Sequence, residues 1–147
     1  MKVVAFNGSP KKEGNTYHAI KMVAEELEKE GIEVEIVHVG NKTIGGCRAC
    51  NACVKNNNEK CIIDNDEVNE WIQKMKMADG IILGSPVHYS AIGGTMKPGE
   101  ALEDEEGRQI MRVLGKNMAW LMKLVENGKQ TIKEPERENK ILTNFIR

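Results

Sequence analysis

The sequence predicts an α/β fold built on a parallel sheet with the strand order 2-1-3. Short segments that suit strands alternate with longer segments of helical period, giving the order β-α-β-α-β. Right-handed crossovers then place the first strand between the other two. The 147 residues suit a single domain, which we assign to residues 1–127, with residues 128–147 as a C-terminal arm or tail.

The first two strands and the helix between them follow from hydrophobic periodicity. Residues 3–6 are apolar throughout, as expected of an interior strand that is covered on both faces. Residues 15–30 carry apolar side chains at helical spacing and are followed by Gly31, which indicates an amphipathic helix. Residues 32–39 alternate apolar with polar side chains, as a half-exposed edge strand does.

Two helices and one strand are predicted in the rest of the chain. Residues 66–77 suit a helix capped by Asp66, and residues 80–83 suit a third strand, apolar throughout and expected to be buried on both faces. Residues 103–127 predict a long helix that closes the fold. Its apolar face comprises Ile110, Val113, Leu114, Leu121, Leu124 and Val125, with Met111, Met118 and Met122 beside it. No further strand is predicted, which leaves the third strand as an exposed edge.

The turn between the first strand and the first helix has the features of an anion site. Backbone N–H groups and the dipole at a helix N-terminus favour a phosphate, and Gly8 and Gly14 allow close approach. Side chains that can contribute are Ser9, Lys11 or Lys12, Asn15 and Thr16. The turn matches neither the Walker loop nor the dinucleotide pattern, which disfavours ATP and a Rossmann-bound NAD. An ordinary turn with a helix cap stays the alternative.

A second loop, residues 84–90, follows the third strand. Strands 1 and 3 flank the switch point of a 2-1-3 sheet, so we expect both loops to face one crevice where such sheets bind ligands. Pro86, Tyr89 and Ser90 can line a flat ring and hydrogen-bond its polar edge, which suits a mononucleotide such as FMN. His88 either contacts the ring or only packs in the loop. A simple Gly-Ser-Pro turn is the alternative.

Four cysteines lie close together in a loop at residues 45–65. Cys47, Cys50, Cys53 and Cys61 have the spacing C-x2-C-x2-C-x7-C, a compact set of soft ligands for iron-sulfur or zinc. We expect a cytoplasmic, reducing location because the N-terminus has no signal-peptide pattern, and there such cysteines favour metal or redox chemistry over disulfides. An iron-sulfur cluster, structural zinc and free or redox-sensing thiols stay open.

The composition and the residue order argue against several functions. A formal net charge of -1 gives no reason to expect nucleic acid as a partner. No apolar run approaches the roughly 18–20 residues that span a bilayer, so we expect no membrane association. No Ser-His-Asp order or paired carboxylates suggest hydrolysis, and no residue is assigned as catalytic.

The sequence resembles the NADPH-dependent FMN reductase family of flavodoxin-like proteins and, within it, the iron-sulfur flavoproteins. The resemblance is carried by residues 8–16, the cysteine run, residues 78–89 and, in the closing helix, residues 104–107 and 114–120. It implies a flavodoxin-like three-layer sandwich and a dimer or tetramer. The residues that would hold the FMN phosphate are Ser9, Lys11, Gly14, Asn15 and Thr16. Those that would contact its ring are Pro86, Val87, His88, Tyr89 and Ser90.

The same resemblance implies a route for electrons. NAD(P)H or a reduced carrier would be the donor, and a small molecule or a protein would be the acceptor. A [4Fe-4S] cluster at Cys47, Cys50, Cys53 and Cys61 would exchange electrons with FMN. The competing hypothesis is a non-enzymatic or inactive module whose cysteine loop binds metal or senses redox state.

The chain differs from the family pattern after Lys97. Strands 4 and 5, the helix between them and a Gly-rich loop near the flavin have no counterpart, roughly 60 to 70 residues in all. Three explanations stay open: a natural internal deletion, completion of the fold by a partner subunit, or a segment omitted from the sequence.

Overall fold

A computed structural model of the protein describes residues 1–86 and 99–136. Within these residues the sheet has three parallel strands in the order β2-β1-β3. The strands are β1 Lys2–Asn7, β2 Glu33–His38 and β3 Gly80–Gly84. The helices are α1 Asn15–Lys29, α2 Ala52–Asn56, α3 Val68–Lys76 and α4 Glu105–Gly128, with a short 3-10 helix at Glu100–Leu102. The predicted α/β fold with a 2-1-3 sheet is confirmed.

The interior strand β1 forms the centre of the core. It pairs with β2 from Lys2 opposite Glu33 onward and with β3 from Val3 opposite Gly80 onward. Val3 packs among residues of α1 and α4, whereas Val4 packs on the opposite face with Trp71 of α3. Helices therefore cover both faces of β1, which makes three layers. No helix of the described residues combines the length and apolar character needed to cross a membrane.

Helix α4 packs against α1 at close range. Gly115 is buried at the crossing, and a Cβ there would lie 2.7 Å from the carbonyl oxygen of Val23 and 2.8 Å from Cβ of Glu26. The buried Glu26 carboxylate accepts a hydrogen bond from Lys29 at 2.7 Å and lies 3.8 Å from Nζ of Lys116 on α4. The Lys29 bond is the main cause that lowers the pKa of Glu26. A small residue and an ion pair thus fix this crossing.

The apolar face predicted for α4 is not the face that packs on the core. Met111, Met118 and Met122, predicted beside that face, pack against the buried cluster around Val3 and Leu27. The side chains predicted to face inward are instead about half exposed: Ile110 53%, Val113 48%, Leu114 51%, Leu121 54%, Leu124 47% and Val125 59%. The prediction of the inward face is wrong because Gly115 and Ala119, between the methionines, allow a closer approach to α1.

Strand β3 is covered on one face only. Its register with β1 places Ile81 and Leu83 beside Val4 and Phe6, on the face where α3 lies. Helix α3 packs over β1 and the end of β2, and Ile81 remains 45% and Leu83 79% exposed. The expectation that β3 is buried on both faces is therefore wrong. In the described part of the chain, β3 is an exposed edge of the sheet, as predicted.

The substitution Gly115→Ala tests the close crossing of α1 and α4. We expect it to lower the free energy of unfolding by about 1–3 kcal/mol, because the added Cβ overlaps backbone of α1. Gly128→Ala is the matched control, since a Cβ on this last residue of α4 meets only Cδ1 of Ile132 at 4.0 Å. Urea unfolding measures both variants. A Gly115→Ala protein as stable as the wild type would contradict this packing.

Candidate functional site

The turn of residues 8–14, which we call the anion loop, lies where the carboxyl ends of all three strands meet. The backbone N–H of Gly8 donates a hydrogen bond of 2.7 Å to the carbonyl oxygen of Gly84 at the end of β3. The carbonyl oxygen of Asn7 accepts bonds from the N–H groups of Val39 and Gly40, at 3.0 and 3.2 Å. The loop therefore starts from a fixed position at the switch point of the sheet.

The side chain of Asn7 holds the anion loop from within. Asn7 has no exposed surface, its Oδ1 accepts from the N–H of Ser9 at 3.1 Å, and its Nδ2 donates to the carbonyl oxygen of Lys12 at 3.0 Å. The buried Ser9 in turn accepts the N–H of Lys11 on its Oγ at 3.2 Å. Asn7 was not predicted as a site residue. The available signal for Asn7 was a polar residue at the end of an apolar strand, because a buried amide side chain needs hydrogen-bond partners.

Residues from the end of β2 support the loop from outside. Nε2 of His38 lies 2.8 Å from the carbonyl oxygen of Ser9 and carries the proton of this bond, since a carbonyl only accepts. A Cβ on Gly40 would lie 2.2 Å from that same oxygen, so the two segments touch through backbone. The sequence analysis missed both residues. They reach the loop only because parallel pairing places His38 beside Asn7.

The anion loop folds closely around Gly14. Gly14 is buried at the entry to α1, and a Cβ there would lie 3.1 Å from Cβ of Lys11 and 3.6 Å from Oγ of Ser9. Thr16 lies in the first turn of α1, where helical amide groups lack partners within the helix. Lys11 is exposed and adds positive charge. Backbone donors, hydroxyls and a cation together suit an anion.

The structure brings the predicted residues of the anion loop together with different roles. Ser9 and Gly14 shape the loop, and Thr16 faces Gly84, whose Cβ would lie 3.1 Å from Cγ2 of Thr16. Oδ1 of Asn15 accepts the N–H of Gly99 at 2.8 Å, which joins the loop to the segment before α4. Their roles as ligands stay predictions.

The second predicted loop is described only at its start. Ser85 is exposed and its hydroxyl donates to the carbonyl oxygen of Pro86 at 3.4 Å. Pro86 is partly buried directly after β3, on the side of the sheet where the anion loop begins. The predicted ring contacts Val87, His88, Tyr89 and Ser90 lie outside the described residues.

The four cysteines lie on the surface and do not converge. Cys47, Cys50 and Cys53 are exposed, and Cys61 is partly buried. Within the described ranges, no three side chains of His, Cys, Asp or Glu are arranged to hold a metal. The thiols suit a soft metal by their chemistry, but in this conformation their positions do not fit a cluster.

The two ends of the cysteine loop differ in how firmly they are held. Asn69 of α3 accepts the N–H of Cys61 at 2.7 Å and donates to its carbonyl oxygen at 3.1 Å. At the other end, the N–H of Gly45 donates to Oδ2 of Asp66 at 3.0 Å, but Sγ of Cys47, two residues further on, accepts a local bond from the N–H of Ala49 at 3.4 Å. The short helix α2, which carries Cys53, was not predicted. Cys61 is therefore held by α3, whereas Cys47, Cys50 and Cys53 are exposed residues.

The sheet order and the loop at its strand ends define the chain as a flavodoxin-like α/β protein. The sequence profile of the NADPH-dependent FMN reductase family matches residues 1–98, and the chain belongs to that family. Over all 147 residues the fold is similar to that of RosB, solved with bound 8-demethyl-8-formylriboflavin-5'-phosphate. The TM-score is 0.63 and the identity 14%, covering 100% of this chain and 92% of the other.

Several curated relatives are iron-sulfur flavoproteins. One from Methanocaldococcus jannaschii is 41% identical over 97 residues, which is 66% of this chain and 49% of the relative. One from Archaeoglobus fulgidus and one from Methanosarcina thermophila are each 36% identical over 97 residues, covering 66% of this chain and 46% and 49% of their own lengths. This chain therefore spans about half the length of the curated relatives that it matches.

Replacing Asn7 tests how the anion loop is held. We expect Asn7→Ala to lower the free energy of unfolding by about 2–3 kcal/mol, because the buried N–H of Ser9 loses its acceptor and the carbonyl oxygen of Lys12 loses its donor. Asn58→Ala is the matched control: Oδ1 of Asn58 accepts the N–H of Lys60 at 3.2 Å on exposed chain. Its effect should stay within about 0.5 kcal/mol. Denaturant unfolding compares the two, and equal effects would refute the internal role of Asn7.

Proposed function

We propose that the protein is an FMN-binding oxidoreductase and that the anion loop holds the FMN phosphate. The observation that carries this proposal is the loop around Gly14, which lies at the N-terminus of α1 and is fixed from within by Asn7. Membership of the FMN reductase family and the flavoprotein names of the relatives support it. A phosphate group fits the backbone donors, hydroxyls and positive charge found there.

Each residue of the loop has a distinct task in this proposal. Gly14 lets the phosphate approach the backbone, the hydroxyls of Thr16 and Ser9 donate hydrogen bonds, and Lys11 supplies charge from the surface. The segment from Pro86 onward would lie along the ring. FMN itself supplies the redox chemistry, taking a hydride from a donor and passing electrons on singly or in pairs. The protein therefore positions and shields the cofactor, and no general base is required.

The proposed electron donor is NAD(P)H or a reduced carrier. The acceptor would be a quinone, a flavin, a metal or an iron-sulfur protein. The alternative function is a module without enzymatic activity. It is favoured by one fact, that the chain spans about half the length of its curated relatives.

Titration with FMN and with riboflavin tests the phosphate site. We expect FMN to bind more tightly than riboflavin, which lacks the phosphate. Thr16→Val keeps the methyl group that faces Gly84 but removes the hydroxyl. It should therefore weaken the affinity for FMN about 5- to 20-fold and leave the affinity for riboflavin unchanged. Thr131→Val, beyond α4, is the matched control and should change neither affinity. Flavin fluorescence measures the binding.

The same titration separates the proposed function from its alternative. Equal affinity for FMN and riboflavin would show that the anion loop does not bind the FMN phosphate. A protein that is isolated without flavin absorbance and takes up no added FMN would be the non-enzymatic module. Oxidation of NADH or NADPH by the FMN-loaded protein, followed by absorbance, then tests the reductase activity itself.

We propose as a second, separate point that the cysteine loop closes around a [4Fe-4S] cluster when iron and sulfide are present. Four exposed or partly exposed thiols within 15 residues, with no disulfide among them, favour this, as do the names of the relatives. Because the thiols do not converge in the described conformation, the segment around Cys47, Cys50 and Cys53 would have to move toward the anchored Cys61.

Anaerobic reconstitution with ferrous iron and sulfide tests the cysteine loop. We expect about four irons and four sulfides per chain, with broad visible absorbance, because the thiols match the ligand number of such a cluster. Cys50→Ser should lose most of this uptake, whereas Asn58→Ala in the same loop should retain it. Stoichiometric zinc binding without sulfide uptake would instead identify a zinc site. If the protein binds neither an iron-sulfur cluster nor zinc, the four cysteines are free or redox-active thiols.

A further inference from the structure

His38 connects the end of β2 to the anion loop through its side chain. It is the last residue of β2 and pairs with Asn7, the last residue of β1. Its Nε2 lies 2.8 Å from the carbonyl oxygen of Ser9. The two residues that follow His38 donate their N–H groups to the carbonyl oxygen of Asn7, at 3.0 and 3.2 Å. The sheet therefore fixes the backbone that carries the His38 ring.

Several carbonyl oxygens of the anion loop are bonded to the protein itself. That of Ser9 accepts a hydrogen bond from His38. That of Lys12 accepts one from Nδ2 of Asn7 at 3.0 Å. In the part of the chain that the structure describes, the N–H groups of Lys12 and Glu13 donate to no protein group. Bonded oxygens and unbonded N–H groups together leave the loop with hydrogen-bond donors for an anion.

The carbonyl group of Ser9 differs from the others in the loop because Pro10 follows it. The nitrogen of a proline carries no hydrogen, so this peptide group can present only its oxygen. Turned toward a phosphate, that oxygen would repel it, and the same peptide has no N–H to offer instead. In the structure the oxygen faces the end of β2, where a Cβ on Gly40 would lie 2.2 Å from it. The donor that holds it on this side is His38.

The orientation of the Ser9 carbonyl group also affects the next part of the loop. Oγ of the buried Ser9 accepts the N–H of Lys11 at 3.2 Å, and Pro10 is the only residue between them. Rotation of the peptide group between Ser9 and Pro10 would move Lys11 away from this hydroxyl. The contact with His38 therefore holds two groups to which the proposed function gives a role, the hydroxyl of Ser9 and the charge of Lys11.

We propose that His38 is a positioning residue for the FMN phosphate. By donating to the carbonyl oxygen of Ser9, it keeps that oxygen turned toward β2 and the donors of the anion loop in place. This role rests on the proposed function, in which the loop holds the phosphate. His38 acts through Ser9, so it should affect the affinity for FMN and not that for riboflavin. The contact requires an N–H at the position of Nε2 and neither an aromatic ring nor a charge.

Three replacements of His38 separate the effect of its N–H from that of its ring. The NH2 group of Gln lies as many bonds from Cα as Nε2 of His, the NH2 group of Asn lies one bond nearer, and Leu has no donor. We expect His38→Leu and His38→Asn to bind FMN about 5- to 10-fold more weakly than the wild type, and His38→Gln to stay within about twofold. The affinity for riboflavin should not change in any of them. Flavin fluorescence measures both affinities.

Glu33→Gln is the matched control. Glu33 begins the same strand at the end far from the loop, and its side chain is 70% exposed, so neither affinity should change. Hydrogen exchange followed by NMR adds a measurement that needs no flavin. In His38→Leu, the N–H groups of Ser9 and Lys11 should exchange about fivefold faster than in the wild type, because the loop opens more often. In His38→Gln they should exchange at the wild-type rate.

The outcomes distinguish this role from the proposed function. A wild-type protein that does not prefer FMN to riboflavin overturns both. If the wild type prefers FMN and His38→Leu binds it equally tightly, only the role of His38 is overturned. The same follows if His38→Gln is as weak as His38→Leu, because the ring is then what matters, or if both flavins lose affinity alike. Urea unfolding verifies that each variant is folded, and His38→Asn replaces His38→Leu in these comparisons if the latter is not.

Discussion

A buried carboxamide, that of Asn7, connects the sheet to the loop that would bind a ligand. Its backbone carbonyl oxygen accepts two N–H groups from the end of β2, while its side chain bonds to both limbs of the anion loop. Because Asn7 is fully enclosed, its own carbonyl oxygen and side-chain amide would have no water to replace a lost partner. The loop is therefore rigid before any ligand arrives, and less ordering entropy has to be overcome on binding.

The first 40 residues could be predicted almost completely from the sequence. The bounds predicted for β1, α1 and β2 fall within two residues of those in the structure, and the helix ends before Gly31, whose positive φ of 76° suits glycine. These features depend on local patterns, namely an apolar run, a helical period and a turn residue. The position of the turn between β1 and α1 was predicted correctly for the same reason, since a turn between a buried strand and a helix is encoded in adjacent residues.

The errors concern features that depend on distant parts of the chain. Helix α4 has two faces able to pack, one of Leu, Ile and Val and one of Met, Gly and Ala, and hydrophobicity favours the first. The second face packs on the core because Gly115 allows backbone contact with α1. Hydrophobic periodicity gives no information on such a contact. In the same way, the exposure of Leu83 depends on where α3 ends over the sheet. The cysteine spacing indicates soft ligands, but the four thiols do not converge in the described conformation, and spacing along the chain does not report the distances between them.

The contact between α1 and α4 also has a consequence for the order in which the protein is made. Leu27 and Val23 of α1 belong to a core cluster that includes Ala119 and three methionines of α4, elements about 90 residues apart in sequence. A chain emerging from the ribosome must leave that side of α1 uncovered until α4 has been synthesised. At about 5–20 residues per second, the intervening stretch takes several seconds to make. The core around Leu27 can therefore close only after α4 has left the ribosome.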